Sequence, residues 1–467
     1  MNIKRREFIR AGGMLAIVGA GSRAVAAEGA AEEKGTVPAA EGTAPVNLII
    51  SPPVLQNAAE TSMGVGFAVS AMANGYVKIS SSPDMKDARL VKCGGYRVTG
   101  MDDKFILVRL TGLDPATTYY YTIGADRIDY QNGYSMKIVG NEEDPRVYSF
   151  RTLGTAAPSS FCVVNDTHCR PEAFGPAVDK IAELAPSCVV WDGDACNSHE
   201  TFESLLPVFY TPEISRVDYA ACQPYLFVPG NHDYRGLAAR HLERAMMFRE
   251  MEERPPRFWD LGRNFAVRCG DIALIGLDTG EDKLDTRPSQ AGLFNFAPYR
   301  VAQRDWLAEV LERPDVKSAP FVVAFCHIPL HDDNPHAHPG DVEGNGDDKY
   351  WHDFALWQRT CRDLWGPLFA KHGVQAVICA HQHRYRYDAP TEDRPWAHFV
   401  GGGPIFGPQK GPDGKETEDP SRFPTVIEGK VEDGKLRITA HDLYHRTVAG
   451  SYVFEPRKRH AVAAPAT

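Results

Sequence analysis

Seven short, predominantly apolar runs constrain this chain more than any other feature. They are "SFCVV", "SCVVW", "PYLFV", "FAVRC", "IALIGL", "FVVAF" and "QAVICA", and all lie between Ser159 and Ala380. Stretches of helical pattern alternate with them: "GPAVDKIAELA", "LAARHLERAMMFREMEE", "YRVAQRDWLAEVLER" and "FALWQRTCRDLWGPLFAKHG". A strand apolar at every position has both faces covered. Strands alternating with helices predict a mixed α/β domain built on parallel strands.

The residues just beyond the apolar runs point to chemistry. "FCVV" leads into Asn165-Asp166-Thr167-His168, and "CVVW" into Asp192-Gly193-Asp194. "YLFVP" leads into Gly230-Asn231-His232-Asp233, "VVAFC" into His327, and "AVICA" into His381-Gln382-His383. Each fragment alone is a weak signal, since Asp-x-His or Gly-Asp arises often by chance. Together they place carboxylate, amide and imidazole groups at five strand ends, where open α/β sheets bind their ligands. Asp, His and Asn without thiolates suit Zn, Mn or Fe. Seven such side chains are too many for one tetrahedral ion. They fit two ions about 3.5–4 Å apart with one shared carboxylate, as in two-metal hydrolysis.

The remaining segments read differently. "KRREFIR" (Lys4 to Arg10) precedes "AGGMLAIVGAG" and the small residues of "SRAVAAEG". The apolar run is too short to span a bilayer, so residues 1–27 are expected to be a cleaved export signal. Arg5-Arg6 followed by Glu7-Phe8-Ile9 resembles a twin-arginine signal, which implies export of an already folded protein to the periplasm or outside the cell. Residues 28–45 are Ala/Glu/Gly/Pro-rich and read as a linker. Residues 46–153 carry short β-type runs such as "GVGFAV", "YVKIS" and "FILVRL", and predict an N-terminal all-β sandwich of roughly a hundred residues.

A net charge of −10 argues against a nucleic-acid partner. It does not argue against an anionic substrate, because bound metal ions invert the local field. Of the ten cysteines, Cys162, Cys188, Cys326 and Cys379 sit inside apolar runs, as small buried hydrophobes do. Cys169 and Cys196 lie in loops beside the ligand-type residues. No zinc-type cysteine grouping is present.

The blocks "NDTH", "GDACN", "GNHD", "FCHIPLH" and "AHQH" closely resemble, in order, those of the calcineurin-like metallophosphoesterase family. The resemblance implies an α/β domain of two mixed sheets flanked by helices over residues 159–442, followed by an extension and tail over 443–467. It implies that one metal takes Asp166, His168, His383 and the bridging Asp194, and the other Asp194, Asn231, His327 and His381. It further implies hydrolysis of a phosphate ester by a metal-bridging hydroxide, with His232 donating a proton to the leaving alcohol. Asp233 either orients His232 or caps a helix. "LTGLDPATTYYYTIGA" and "YSFRTL" resemble the fibronectin-type N-terminal module of purple acid phosphatases.

The chain also departs from that second family. Purple acid phosphatases lack the first-block histidine, here His168, and carry a tyrosine where this chain has Asn197. Ala380 stands before His381 where glycine is usual. Tyr385, two residues beyond His383, is expected to pack beside the site. Arg170 and Arg235 flank the blocks and are candidate phosphate contacts, as is His331. The long polar loop from His327 to Asp348, with His331, His336 and His338, either closes over substrate or is solvated. Gly401, Gly402 and Gly403 are expected to allow close backbone approach. The leading expectation is an exported phosphomonoesterase acting on a small phosphorylated substrate, with no membrane span after signal removal. The alternatives are a phosphodiesterase on the same site, or a non-catalytic surface-binding protein. Oligomeric state is left open.

Overall fold

The seven apolar runs all form strands, but they divide between two sheets. The computed structural model describes residues 47–457 apart from 94–99, 215, 217, 249–259, 289–291, 332–346, 406, 408, 411–415 and 418. The expected export signal and linker, His336 and His338, and the tail beyond 457 lie outside the described residues.

In the first sheet, Ser160–Val164, Cys188–Asp192 and Tyr225–Val228 run parallel. The hairpin Thr425–Glu432/Lys435–Asp442 joins Ser160–Val164 on its antiparallel side. In the second sheet, Ile272–Gly276, Phe321–Phe325, Ala376–Cys379 and Ala397–Val400 are parallel. Phe265–Cys269, expected among the parallel strands, is instead the antiparallel partner of Ile272–Gly276. Only two residues separate them, too few for a parallel crossover.

Alternation along each strand explains why the runs are predominantly apolar. Phe161, Val163, Val190 and Leu226 of the first sheet and Leu274, Val323, Phe325 and Ile378 of the second share one core between the sheets. Phe161 and Phe325 meet edge to face, ring centres 5.4 Å apart. Their neighbours point the other way. Cys162, Val164, Val189 and Trp191 pack under the helix Pro171–Leu184 through Phe174, Val178 and Ile181. Ala273, Ile275, Val322 and Val377 pack under Phe296–Glu312 and Asp347–His372 through Trp306, Leu307, Trp365 and Phe369. The result is two sheets face to face between two helical layers. Each fully buried Val, Leu or Phe contributes about 1.5–3 kcal/mol.

Two further elements are set by the structure. The helix expected over "LAARHLERAMMFREMEE" is reduced, among the described residues, to the turns Ala239–His241 and Leu242–Ala245. The chain then extends at Met246, and the Met247 N–H is taken by Gln56 Oε1 at 2.8 Å. Within the expected extension after 443, Thr447–Phe454 forms the edge strand of the first sheet, beside Lys435–Asp442. Among the described residues, no helix is long and apolar enough to cross a membrane.

The boundary expected between residues 153 and 159 falls within one compact unit, Asn47–Thr467. Residues 47–153 contain strands and no helix among the described residues. However, Val54–Gln56 pairs in parallel with Tyr225–Val228 and extends the first sheet through Ser62–Ala68 and Phe105–Thr111 to nine strands. Gln56, completely buried, donates to Tyr210 Oη and the Ala245 carbonyl, both at 3.2 Å. Tyr121 Oη donates to the Ala221 carbonyl at 2.6 Å. Removing residues 47–153 would expose the edge of Tyr225–Val228 and leave these polar groups unpaired. Such a truncation is expected to lose its cooperative thermal transition by circular dichroism. A soluble truncation with a native-like melt would show that the sheets are separable.

Candidate metal centre

The parallel strands bring their carboxyl ends to one rim, and the ligand-type residues sit on the turns that leave it. These turns are tight. Asp166, His168, Asp194, His381 and His383 all have positive φ, between 46° and 71°. For residues other than glycine this conformation costs about 1–2 kcal/mol each, and such outliers gather at functional sites. Gly193, at φ 75°, lies where a Cβ would come within 2.5 Å of His327 Nδ1. A Cβ on Gly403 would stand 2.7 Å from His383 Cδ2, so the expected close approach by the glycine run is present.

Two ligand groups result. Asp166, His168, Asp194 and His383 converge in one, and Asp194, His327 and His381 in the other. Asp194 is the side chain they share. His168 Nε2 lies 3.0 Å from His383 Nε2 and 3.6 Å from Asp194 Oδ2. His383 Nε2 is 3.4 Å from Asp166 Oδ1. On the other side His327 Nε2 is 3.2 Å from Asp194 Oδ2. Asn231, buried, brings Oδ1 to 2.9 Å from His381 Nδ1. The structure thus brings all seven side chains predicted as ligands to one place. His327 is oriented by its other nitrogen, which meets the Asp192 carbonyl at 2.8 Å, as second partners of metal-ligating histidines do.

The donor set fits cations. Asp166 Oδ1 and His327 Nε2 are buried and make no well-aligned hydrogen bond, only the ion-pair contacts above. Such orphans are costly unless something charged meets them. Burial alone would raise the Asp166 carboxyl, but His383 and His327 hold it at about 2. Asp194 is likewise held well below the carboxylate range, burial being outweighed by His327 and then His232. Burial pushes His381 down to about 4 and also lowers His168, which leaves those imidazoles as neutral donors. His327 and His383 are raised despite burial, by Asp194 and Asp166 respectively. A metal would take over the charge that those two protons supply.

The other predicted residues take up different places. His232 Nε2 is 3.9 Å from Asp194 Oδ2, and its Nδ1 is 2.7 Å from the Asn197 carbonyl. Asp233 does not orient the His232 ring. Its buried carboxylate accepts the backbone N–H of Gly230 at 2.8 Å, Asp194 at 2.9 Å and Ala195 at 3.2 Å, and meets His199 Nε2 at 3.3 Å. It ties two ligand turns together as a cap. Each donor left without it would cost about 1–3 kcal/mol. Arg235 stands at the site, with Nη1 3.0 Å from His232 Nε2 and Nη2 2.7 Å from Glu281 and 3.0 Å from Asp282. Arg170 instead pairs with Glu172 at 3.7 Å and lines a cavity of about 230 Å³ beside the turns. His331 packs near His398, ring centres 6.3 Å apart, and belongs to neither ligand group.

Sequence reasoning missed Glu281 and Asp282. Asp282 Oδ2 lies 3.9 Å from His381 Nε2. The available signal was "LDTGED", acidic residues directly after the apolar run "IALIG".

Residues 159–385 match the family model described as Calcineurin-like phosphoesterase. No curated protein matches this chain in sequence. Among solved structures it is similar to the purple acid phosphatase PPD1 from yellow lupin (Lupinus luteus) seeds. That pair is 14% identical with a TM-score of 0.56, over 86% of this chain and 74% of the other. It is also similar to the structure of PhoD, at 11% identity and a TM-score of 0.56, over 90% of this chain and 94% of that one. At such identities the likeness is one of fold. The chain thus carries a calcineurin-like phosphoesterase domain, and its two ligand groups make a binuclear metal site. Asp194→Ala is expected to lose both ions at once, measured as metal per chain. Retention of two metals in that variant would break the shared-carboxylate assignment.

Proposed function

We propose that this chain is an exported phosphomonoesterase that acts on small phosphorylated substrates, with His232 as the general acid. The observation that carries the reading is the position of His232. Its Nε2 is 3.9 Å from Asp194, the carboxylate common to both ligand groups, and the side chain is 26% exposed, so it faces the space a substrate would enter. Two cations held by the ligand groups would neutralise phosphate charge and lower the pKa of water.

The chain's own groups then divide the work. Asp166, His168, His383 and Asp194 would hold one ion; Asp194, Asn231, His327 and His381 the other. Asn197, through its carbonyl, holds the His232 ring by Nδ1 and leaves Nε2 as the atom that exchanges a proton. Arg235, anchored by Glu281 and Asp282, donates to that Nε2 in the free protein. With an ester present, the guanidinium turns to phosphate oxygens and His232 Nε2 is free to carry the proton for the leaving alcohol. The "KRREFIR" start supports export by the twin-arginine route, and the strands of residues 47–153 support a fibronectin-type module.

His232→Ala is expected to keep its metals while turnover on poor leaving groups falls by about 10²–10⁴-fold. The loss should shrink for esters of acidic alcohols such as nitrophenol. A loss equal for good and poor leaving groups would remove His232 from the acid role. Faster hydrolysis of a bis-nitrophenyl phosphate than of the mono-ester would make the enzyme a phosphodiesterase. No phosphate release with Mn, Zn and Fe each supplied would revive a binding role.

Metal identity depends on the groups that surround the ions. A tyrosinate on ferric iron gives intense visible colour, but Asn197 replaces that tyrosine, and Tyr385 Oη lies 3.3 Å from Tyr452 Oη instead. A neutral imidazole from His168 stabilises a trivalent ion less than a phenolate would, which favours divalent Mn or Zn or a readily reduced iron. The purified protein should be pale and regain activity with divalent metal after chelation. A strong visible band lost in Tyr385→Phe would overturn this.

A further inference from the structure

All ten cysteines are free thiols, and one pair straddles the metal turns. Cys169 follows the ligand His168 and is exposed; Cys196 lies two residues past Asp194 and is buried. The two turns run side by side, joined by backbone hydrogen bonds from Asp166 to Gly193 at 3.1 Å, His168 to Asp194 at 3.0 Å and Cys169 to Ala195 at 2.9 Å. That register sets Cys169 Sγ 3.5 Å from the Ala195 carbonyl, on the residue next to Cys196. Both line the cavity of about 230 Å³ that Arg170 and Ser198 also border. Behind Cys196, His199 Nδ1 lies 3.3 Å from Sγ, and His199 Nε2 lies 3.3 Å from Asp233 Oδ1.

We propose that Cys169 and Cys196 form a reversible disulfide that clamps the first two metal-ligand turns together. The paired backbones and the shared cavity wall put both thiols on adjoining turns, the arrangement a disulfide needs. The cavity lets a small reagent reach Cys169. Another pair lacks that access: Cys326 and Cys379 lie 3.5 Å apart, but both are buried. Buried structural thiols are inert to exchange.

The oxidant is a small-molecule disulfide such as oxidised glutathione. Cys169, as thiolate, attacks one glutathione sulfur, and the first glutathione leaves as a thiolate that takes up the proton Cys169 gave to solvent. Cys196 then passes its proton to His199 and attacks Cys169 Sγ. The protein Sγ–Sγ bond forms, the mixed disulfide breaks, and the second glutathione departs and recovers that proton. Two protein thiols are oxidised by two electrons and one disulfide is reduced to two thiols.

The test uses the reduced, metal-loaded full chain, treated with oxidised glutathione under native conditions, then denatured and alkylated. The expected product lacks two hydrogens and yields one cross-linked peptide pair joining Cys169 to Cys196. Cys196→Ser should stop at glutathione attached to Cys169. If both thiols of the native chain remain fully alkylatable, or if the bond joins another pair, the site assignment fails. Against excess chelator the oxidised chain should release metal several-fold more slowly than the reduced one, and dithiothreitol should restore the faster rate. Equal or faster release from the oxidised chain would overturn the clamp.

Discussion

Asp166 and Asp194 are both completely buried, and both lie against the imidazole of His327, at 3.8 Å and 3.2 Å. Two carboxylates in that setting repel each other and have lost their water. Burying such charges is tolerated only where compensating positive charge is supplied. Without ions that compensation falls to His327 and His383, whose raised affinity for protons reflects it. With ions, the same geometry becomes a coordination shell. The metal centre is thus a solution to a charge problem that the fold itself creates by ending its strands at one rim.

The rim is held by groups that bind no metal. Asp233 collects three backbone donors from two different turns, and so fixes Asp194 relative to Asn231 and His232. Gly193 and Gly403 remove side chains that would push His327 and His383 out of line. The left-handed ligand residues store strain that these contacts must offset. The ligand-type residues are thus held by groups that position them, and Arg235 with its two carboxylates extends that support to His232.

The same continuity governs stability. The β-rich region expected as an N-terminal module supplies three strands of the first sheet and buries Gln56 completely. Its apolar residues Leu55, Val65 and Val108 belong to the core that also holds Phe161 and Phe325. A mutation in that region can act on the metal rim without touching a ligand.

Much of this was legible in the amino-acid order. Predominantly apolar runs require strands covered on both faces, and Asp166, His168, Asp194, Asn231, His327, His381 and His383 could be read as ligands because each comes directly after such a run or the short turn leaving it. Local pattern reports the needs of a segment, but not which partner meets them. The antiparallel placement of Phe265–Cys269 came from a two-residue connection, and just past the end of the short helix Leu242–Ala245 a distant glutamine takes the Met247 N–H. Asp233 resembled a catalytic partner because it adjoins His232, yet successive side chains diverge and its carboxylate turned to the backbone. Cys169 and Cys196, 27 positions apart, became neighbours only through the register of two turns. Periodicity and residue type are local quantities, so they determined the strands and the ligands. Pairing, register and the direction of a buried carboxylate depend on long-range packing, and the tertiary structure alone decided them.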